Sequence, residues 1–334
     1  MALGARCLRV AMLNADTSVP NVYANLGTFG DILHRKLLAA ADRTPEQLKI
    51  VHSVYNVVMG EYPDSLDDLD AVFITASAAS SYEIAGWIKR LEEYVVTLYT
   101  RYPEIKLFGS CFGHHIICQA LLKDHGVAVA KRPSGWEIGV SEVKFTDEFR
   151  DAFARVGPST VKQTSQIWVG RLPSPESESG EDDGKASRFL ERVDRSVPKS
   201  AYLEFVHADE VILAPKEPPL PKPWILLGTT EHCKVPGVYQ PGRVLTLQGH
   251  FEFDTFKSQE TMRIFGADEA SASNPKSIDI SETGNTSGPV CDDGEAVVGM
   301  LVHFLTEEWD VTGVGCEKFP AMPTYQRHDS HESA

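Results

Sequence analysis

The 334-residue chain is short of positive charge: 32 Lys and Arg face 47 Asp and Glu, a formal net charge of -15. A nucleic-acid partner needs a basic stripe, and there is none. An acidic surface keeps a protein soluble without pointing to a substrate. Long apolar runs are missing as well. The stretch Leu8 to Leu13 is too short for a signal-peptide core, and nothing approaches the roughly 20 apolar residues of a membrane span. A cytoplasmic protein without a membrane partner is expected. Cysteine is sparse and scattered, at Cys7, Cys111, Cys118, Cys233, Cys291 and Cys316, with no CxxC pair. That argues against a zinc ribbon or a thioredoxin-type motif and for reduced thiols. Neither G-x-x-x-x-G-K-[ST] nor a strand-borne G-x-G-x-x-G occurs, so no nucleotide-binding machinery is expected. The expectation is no cofactor and no metal.

What is present is an ordinary core-forming share of apolar residues, 42%. The first half alternates strand-like and helix-like stretches. Leu8–Leu13, Leu48–Val54, Asp70–Thr75 and Ile105–Phe108 read as strands, with helical patterns over Gly30–Ala41, Tyr82–Tyr99 and Ile116–Leu122. Such alternation predicts an α/β fold, doubly wound around a mostly parallel central sheet. The second half is richer in strands: Trp136–Phe145, Ala201–Phe205, Val211–Leu213, Trp224–Thr229 and Val244–Leu247. These predict an antiparallel extension, closed by helices over Asp254–Phe265 and Glu295–Glu308. Residues 173–185 and 267–294 are polar and rich in Ser, Gly or acid, and read as insertions. One domain over 1–319 and a disordered tail over 320–334 complete the expected layout.

Chemistry concentrates in two places. Lys106-Leu107-Phe108-Gly109-Ser110-Cys111-Phe112-Gly113 has the strand-turn-helix form of a nucleophile elbow, with Cys111 at its tip. The start of the following helix offers positive potential that favours a thiolate. The N–H of Phe112 can face a developing oxyanion. A buried Cys in an ordinary βα turn would look the same locally. Far downstream, Val244-Leu245-Thr246-Leu247-Gln248-Gly249 runs into His250-Phe251-Glu252. A thiol nucleophile needs a base, and the base an orienting carboxylate. Positions i and i+2 of an extended segment point the same way, so Glu252 can hold His250. His114 and His115 follow Cys111, but the helix is expected to carry both away from the thiol. His207 and Asp209 form a pair too small for zinc, which wants three or four ligands. Trp136 either walls a pocket or fills the core. Cys118 reads as core.

The elbow and the late His-x-Glu segment together resemble class I glutamine amidotransferases, where a G-x-C-x-G elbow pairs with a downstream G-H-P-E. Ile74-Thr75-Ala76-Ser77 resembles that family's small-residue oxyanion loop. Gly135-Trp136-Glu137-Ile138-Gly139-Val140 resembles a segment passing near bound substrate, and His207-Ala208-Asp209-Glu210-Val211 the stretch before a later strand. Cys-Phe-Gly-His, Gly-Trp-Glu-Ile-Gly and Gln-Gly-His-Phe-Glu are most similar to the γ-glutamyl-peptidase-like branch of plants and fungi. The match keeps motif order from about Val10 to Phe265. Three positions depart: His115 stands for the usual Gln, Ala76 for Gly, and Phe251 for Pro.

The resemblance implies a flavodoxin-like fold and a Cys-His-Glu hydrolase of a γ-glutamyl or glutamine-like amide, passing through a thioester. Cys111, His250 and Glu252 would be catalytic. The backbone of Ala76, Ser77 and Phe112 would form the oxyanion hole, and His115, Trp136, Glu137 and His207 would meet the substrate. Two other readings stand beside it. One is a glutaminase that delivers ammonia to a separate synthetase partner. The other is a non-catalytic binding or regulatory protein on the same fold.

Overall fold

A computed structural model of the chain describes residues 6–43, 48–155, 197–252 and 293–307. The expected insertions at 173–185 and 267–294, the helix over 254–265 and the tail 320–334 lie outside the described residues, save the last two positions of 267–294. In chain order the elements are β1 (Cys7–Asn14), α1 (Pro20–Leu26), α2 (Phe29–Ala41), β2 (Lys49–Asn56), β3 (Ala71–Ile74), α3 (Gly86–Arg101), β4 (Lys106–Ser110) and α4 (Phe112–Leu122). Then follow β5 (Ala128–Lys131), β6 (Glu137–Phe145), α5 (Asp147–Arg155), β7 (Ser200–His207), β8 (Asp209–Ile212), β9 (Ile225–Leu226), β10 (Gly228–Thr229), β11 (Val238–Gln240), β12 (Val244–Leu247) and α6 (Gly294–Thr306).

The central sheet has seven strands in the order β2-β1-β3-β4-β12-β11-β9. β2, β1, β3, β4 and β12 run parallel, and β11 and β9 extend the sheet antiparallel. The parallel order is the flavodoxin-like one, in which ligands bind beyond the carboxyl ends of the strands. Side-chain alternation sorts the core onto two faces. Leu8, Val10 and Met12 of β1 join Phe73 and Phe108 under α2 and α6, whereas Ala11, Leu13, Val72 and Ile74 pack under α3 and α4. Each face needs a helical cover because β1, β3, β4 and β12 bury both sides, as parallel strands do.

Two smaller sheets attach at the carboxyl end. β10-β6-β7 is antiparallel, and β5 pairs antiparallel with β8. The single strand expected over Trp224–Thr229 is in fact two. β9 joins the central sheet, β10 joins the small one, and buried Leu227 turns the chain between them. Gly228 permits this, since a Cβ there would sit 2.6 Å from the Lys144 carbonyl oxygen. The helix expected from Tyr82 begins only at Gly86, so residues 80–85 form a turn that reaches the carboxyl end of the sheet. No described helix is long and apolar enough to cross a membrane.

Candidate active site

β4 lies between β3 and β12 and delivers Cys111 at its carboxyl end. The turn into α4 is tight enough to require both elbow glycines. A Cβ on Gly109 would lie 2.3 Å from the Gly113 carbonyl oxygen, and one on Gly113 2.2 Å from the carbonyl oxygen of Ile74. Cys111 itself adopts φ 50°, ψ -105°, the one positive φ outside glycine among the described residues. Such a conformation costs on the order of 1–3 kcal/mol and persists only where the surroundings enforce it. Here they do: the Cys111 N–H donates to Leu247 at 2.8 Å, and the Cys111 carbonyl accepts from the His115 N–H at 3.1 Å. Phe112 is the first residue of α4, where an N–H has no intrahelical partner.

His250 leaves the end of β12 and is held by β7, its N–H donating to the Glu204 carbonyl at 2.7 Å. Gly249 allows that approach, because a Cβ would meet the Leu203 side chain at 2.9 Å. Phe251 points into the core, fully buried and edge-on to Phe108. With Phe251 turned inward, His250 and Glu252 fall on the same side. His250 Nδ1 and Glu252 Oε1 are 2.9 Å apart, and the Cys111 thiol is hydrogen-bonded to the same ring. The ring is buried, which by itself disfavours its cation. The charges of Glu252 and the thiolate outweigh that and push its pKa up to about 10. At neutral pH His250 is an imidazolium held between Glu252 and the Cys111 sulfur.

Cys111 and His250 open on a cavity of about 240 Å³. Ala76, Ser77, Phe112, His115, Trp136 and His207 all lie on its wall. Glu252 stands behind His250. Glu137 is not on the wall: its carboxylate sits behind His207, 2.9 Å from Nε2. His115 corrects the expectation that the helix carries both histidines away. Only His114 turns off, toward Thr246 and the Val235 carbonyl. His115 faces the cavity, and its Nε2 lies 2.6 Å from Gln248 Oε1. Burial lowers the pKa of both, that of His115 to about 4, so both rings are neutral at pH 7.

Six further residues of the wall or its support carry no wall or support role in a sequence reading. Asp209 and Lys131 are cross-strand partners on β8 and β5, and both line the cavity. Ser80 and Tyr82 donate to the Asp209 carboxylate at 2.5 and 2.8 Å. Asp16, beyond the end of β1, lines the cavity as well. Gln248 sits inside the His250 motif, yet nothing in that motif pairs it with His115.

No protein-family profile matches the chain. In Schizosaccharomyces pombe a protein named glutamine amidotransferase-like is 25% identical over 302 residues, spanning 89% of this chain and 98% of its own. A Saccharomyces cerevisiae protein, provisionally named a glutamine amidotransferase, is 24% identical over 220 residues, 63% of this chain and 65% of that one. Among solved structures, a glutamine amidotransferase from Thermotoga maritima superposes with TM-score 0.52 at 16% identity, covering 89% of this chain and 96% of that one. One from Methylobacillus flagellatus gives 0.50 at 14% identity, covering 91% and 93%. The fold is that of the class I glutamine amidotransferases.

Within this amidotransferase fold the three departures have physical accounts. Ala76 has no positive φ, so its methyl leaves the backbone donor intact. Phe251 anchors the turn through the core where Pro would stiffen it through its ring. His115 replaces a flexible amide by a rigid ring tied to Gln248. Among the described residues one group could be mistaken for a metal centre: Glu137, His207 and Cys233 offer ligand atoms within 4.8 Å of one another. The buried Arg132 guanidinium already occupies a cation's place there, 3.4 Å from Glu137. Burial holds the Cys233 thiol up at about 12, and His207 is tied between Glu137 and the Asp209 carbonyl at 2.7 Å. The group is a brace under the His207 wall.

Proposed function

We propose that the chain is a cysteine-dependent hydrolase of γ-glutamyl or closely related amides, as in the γ-glutamyl-peptidase-like branch of the fold. The hydrogen-bonded series Cys111–His250–Glu252 at the floor of the cavity carries this reading. The thiolate attacks the γ-carbonyl carbon, a C–S bond forms, and the carbonyl electron pair moves onto oxygen. The N–H groups of Phe112 and of the Ala76–Ser77 loop face that oxyanion. The imidazolium of His250 protonates the leaving amine as the C–N bond breaks. Neutral His250 then takes a proton from water, which attacks the γ-glutamyl thioester and releases the acid and the thiol. Glu252 keeps the ring oriented and stabilises its cation throughout.

The cavity wall supports a γ-glutamyl group in particular. Lys131 and Asp209 face it side by side with opposite charge, matching the α-carboxylate and α-ammonium of a free γ-glutamyl end. The amidotransferase names of the relatives favour a second reading, a glutaminase that passes ammonia to a separate synthetase. A panel of γ-glutamyl amides and free glutamine, assayed with wild type and Cys111→Ala, separates them. Turnover of γ-glutamyl amides by wild type alone is expected. Ammonia release from glutamine that rises only with an added synthetase favours the second reading. If neither substrate turns over, and a glutamine-mimicking electrophile does not label Cys111, both catalytic readings fail and a binding role is left.

A further inference from the structure

The proposed oxyanion loop has no rigid element of its own. β3 ends at Ile74, and residues 75–85 run without helix or strand until α3 begins. Its donors must nonetheless be held to within about half an ångström of their productive positions, roughly 3 Å from the developing charge, because such stabilisation depends on preorganised geometry. What fixes the loop is the end of β1. The Ala15 N–H donates to Thr75 Oγ1 at 3.1 Å, and the Thr75 N–H to the Leu13 carbonyl at 3.1 Å. One step on, Asp16 Oδ2 accepts from the Ala78 N–H at 2.8 Å and from Ser77 Oγ at 3.4 Å. Asp16 is itself oriented by the Thr17 N–H, which donates to its other oxygen at 2.7 Å. One carboxylate therefore grips the loop just after the backbone groups of Ala76 and Ser77.

We propose that Asp16 is a positioning residue for the oxyanion loop. This rests on the reading of Cys111 as an acyl-accepting nucleophile. Asp16 acts through hydrogen-bond acceptance and not through its charge. A negative charge so near a forming oxyanion is unfavourable, while the acceptor oxygens hold Ala78 and Ser77 in place. Two consequences follow. Asn keeps one acceptor oxygen for Ala78 but must turn its NH₂ toward the Thr17 N–H, so it should retain part of the effect and outperform Ala. The need for Asp16 should appear only in reactions that create an oxyanion.

Two reactions of the same thiol distinguish these. Acylation by p-nitrophenyl acetate forms an S–C(O) bond through a tetrahedral oxyanion and releases p-nitrophenolate. Alkylation by iodoacetamide forms an S–CH₂ bond at a tetrahedral carbon, releases iodide and creates no oxyanion. Rates of both at Cys111 are measured for wild type, Asp16→Ala and Asp16→Asn, with Cys111→Ala as the blank. Asp16→Ala should acylate at least about ten-fold more slowly, as expected for a misplaced oxyanion donor. Its alkylation should stay within about two-fold of wild type. Asp16→Asn should acylate at a rate between those of Asp16→Ala and wild type. The proposal is overturned if Asp16→Ala acylates normally, if both reactions slow together, or if Asn is as poor as Ala. Should Asp16→Ala not fold, Asp16→Ser, too short to reach Ala78, carries the same outcomes. A wild type that alkylates at Cys111 but does not acylate there is a separate result, and rejects the nucleophile reading itself.

Discussion

β4 begins with a buried charge and ends next to another, and the two ends use them differently. At its amino end Lys106 donates to the Gly242 carbonyl at 2.8 Å, while Glu307 accepts from the Gly242 N–H at 2.8 Å and from Tyr239 at 2.9 Å. Burial drives both toward neutrality, lowering Lys106 to about 8 and raising Glu307 to about 8. Both groups close on backbone and side chains that tie the residue after α6 to the turn before β12. At the carboxyl end burial works on His250 in the same sense, yet the neighbouring anions reverse it. The lesson is that burial alone does not mark a functional charge. What separates the ends is that one opens on a cavity and holds its residues in a strained turn, and the other is sealed and relaxed.

The largest expected effects test that separation directly. Glu252→Gln should lower turnover by at least about 10²-fold, because it removes the charge that stabilises the His250 cation. Its melting temperature near pH 7 should fall as well, since the His250 cation loses its buried partner. Lys106→Met should instead leave turnover within a few-fold of wild type. It should cost about 3 kcal/mol of stability by denaturant titration, since it strips a partner from Gly242 and an attractive charge from Glu307. If Lys106→Met abolished turnover with no loss of stability, the two ends would not be separable.

How far the sequence carried depended on whether a feature is local. The parallel strands and Cys111 were legible because each rests on one short apolar run or one turn signature. The relation of His250 to Glu252 was legible because i and i+2 share a side in extended chain. By contrast α5, with only Phe149 and Phe153 buried, has too few apolar positions for its period to stand out. Asp16, Lys131 and Gln248 become meaningful only through residues 62, 78 and 133 positions away. Glu137 was placed against substrate by likeness alone, whereas its pairing with His207 and Arg132 puts it one layer back.

A smaller effect concerns pH. The folded pKa of His250, about 10, lies above its ordinary 6.5, so the folded protein holds this proton more tightly than the unfolded chain. The resulting stability is fully present below pH 6.5, declines as pH rises, and is gone above about 10. Melting curves of wild type should therefore fall across that window. Those of Glu252→Gln, which lacks the main cause of the upward shift, should fall less steeply. Parallel slopes for the two proteins would mean that His250 does not carry the imidazolium in the folded state.

The smallest expected effect is at His115, where the comparison turns from the two ends of a strand to two sides of one ring. Gln248 takes Nε2, and with the ring neutral this makes Nε2 the protonated nitrogen and Nδ1 an acceptor. His115 lines the cavity one helical turn from Cys111. A glutamine at this position, as in the amidotransferase pattern, would offer a donor and an acceptor together on a flexible stem. His115→Gln should therefore change KM for γ-glutamyl substrates by about three- to thirty-fold, the worth of one hydrogen bond, while kcat moves less. Gln248→Leu should reproduce part of that change by freeing the ring to turn or switch tautomer. A His115→Gln variant with unchanged KM for every substrate on the panel would place recognition wholly on the Lys131–Asp209 side of the cavity.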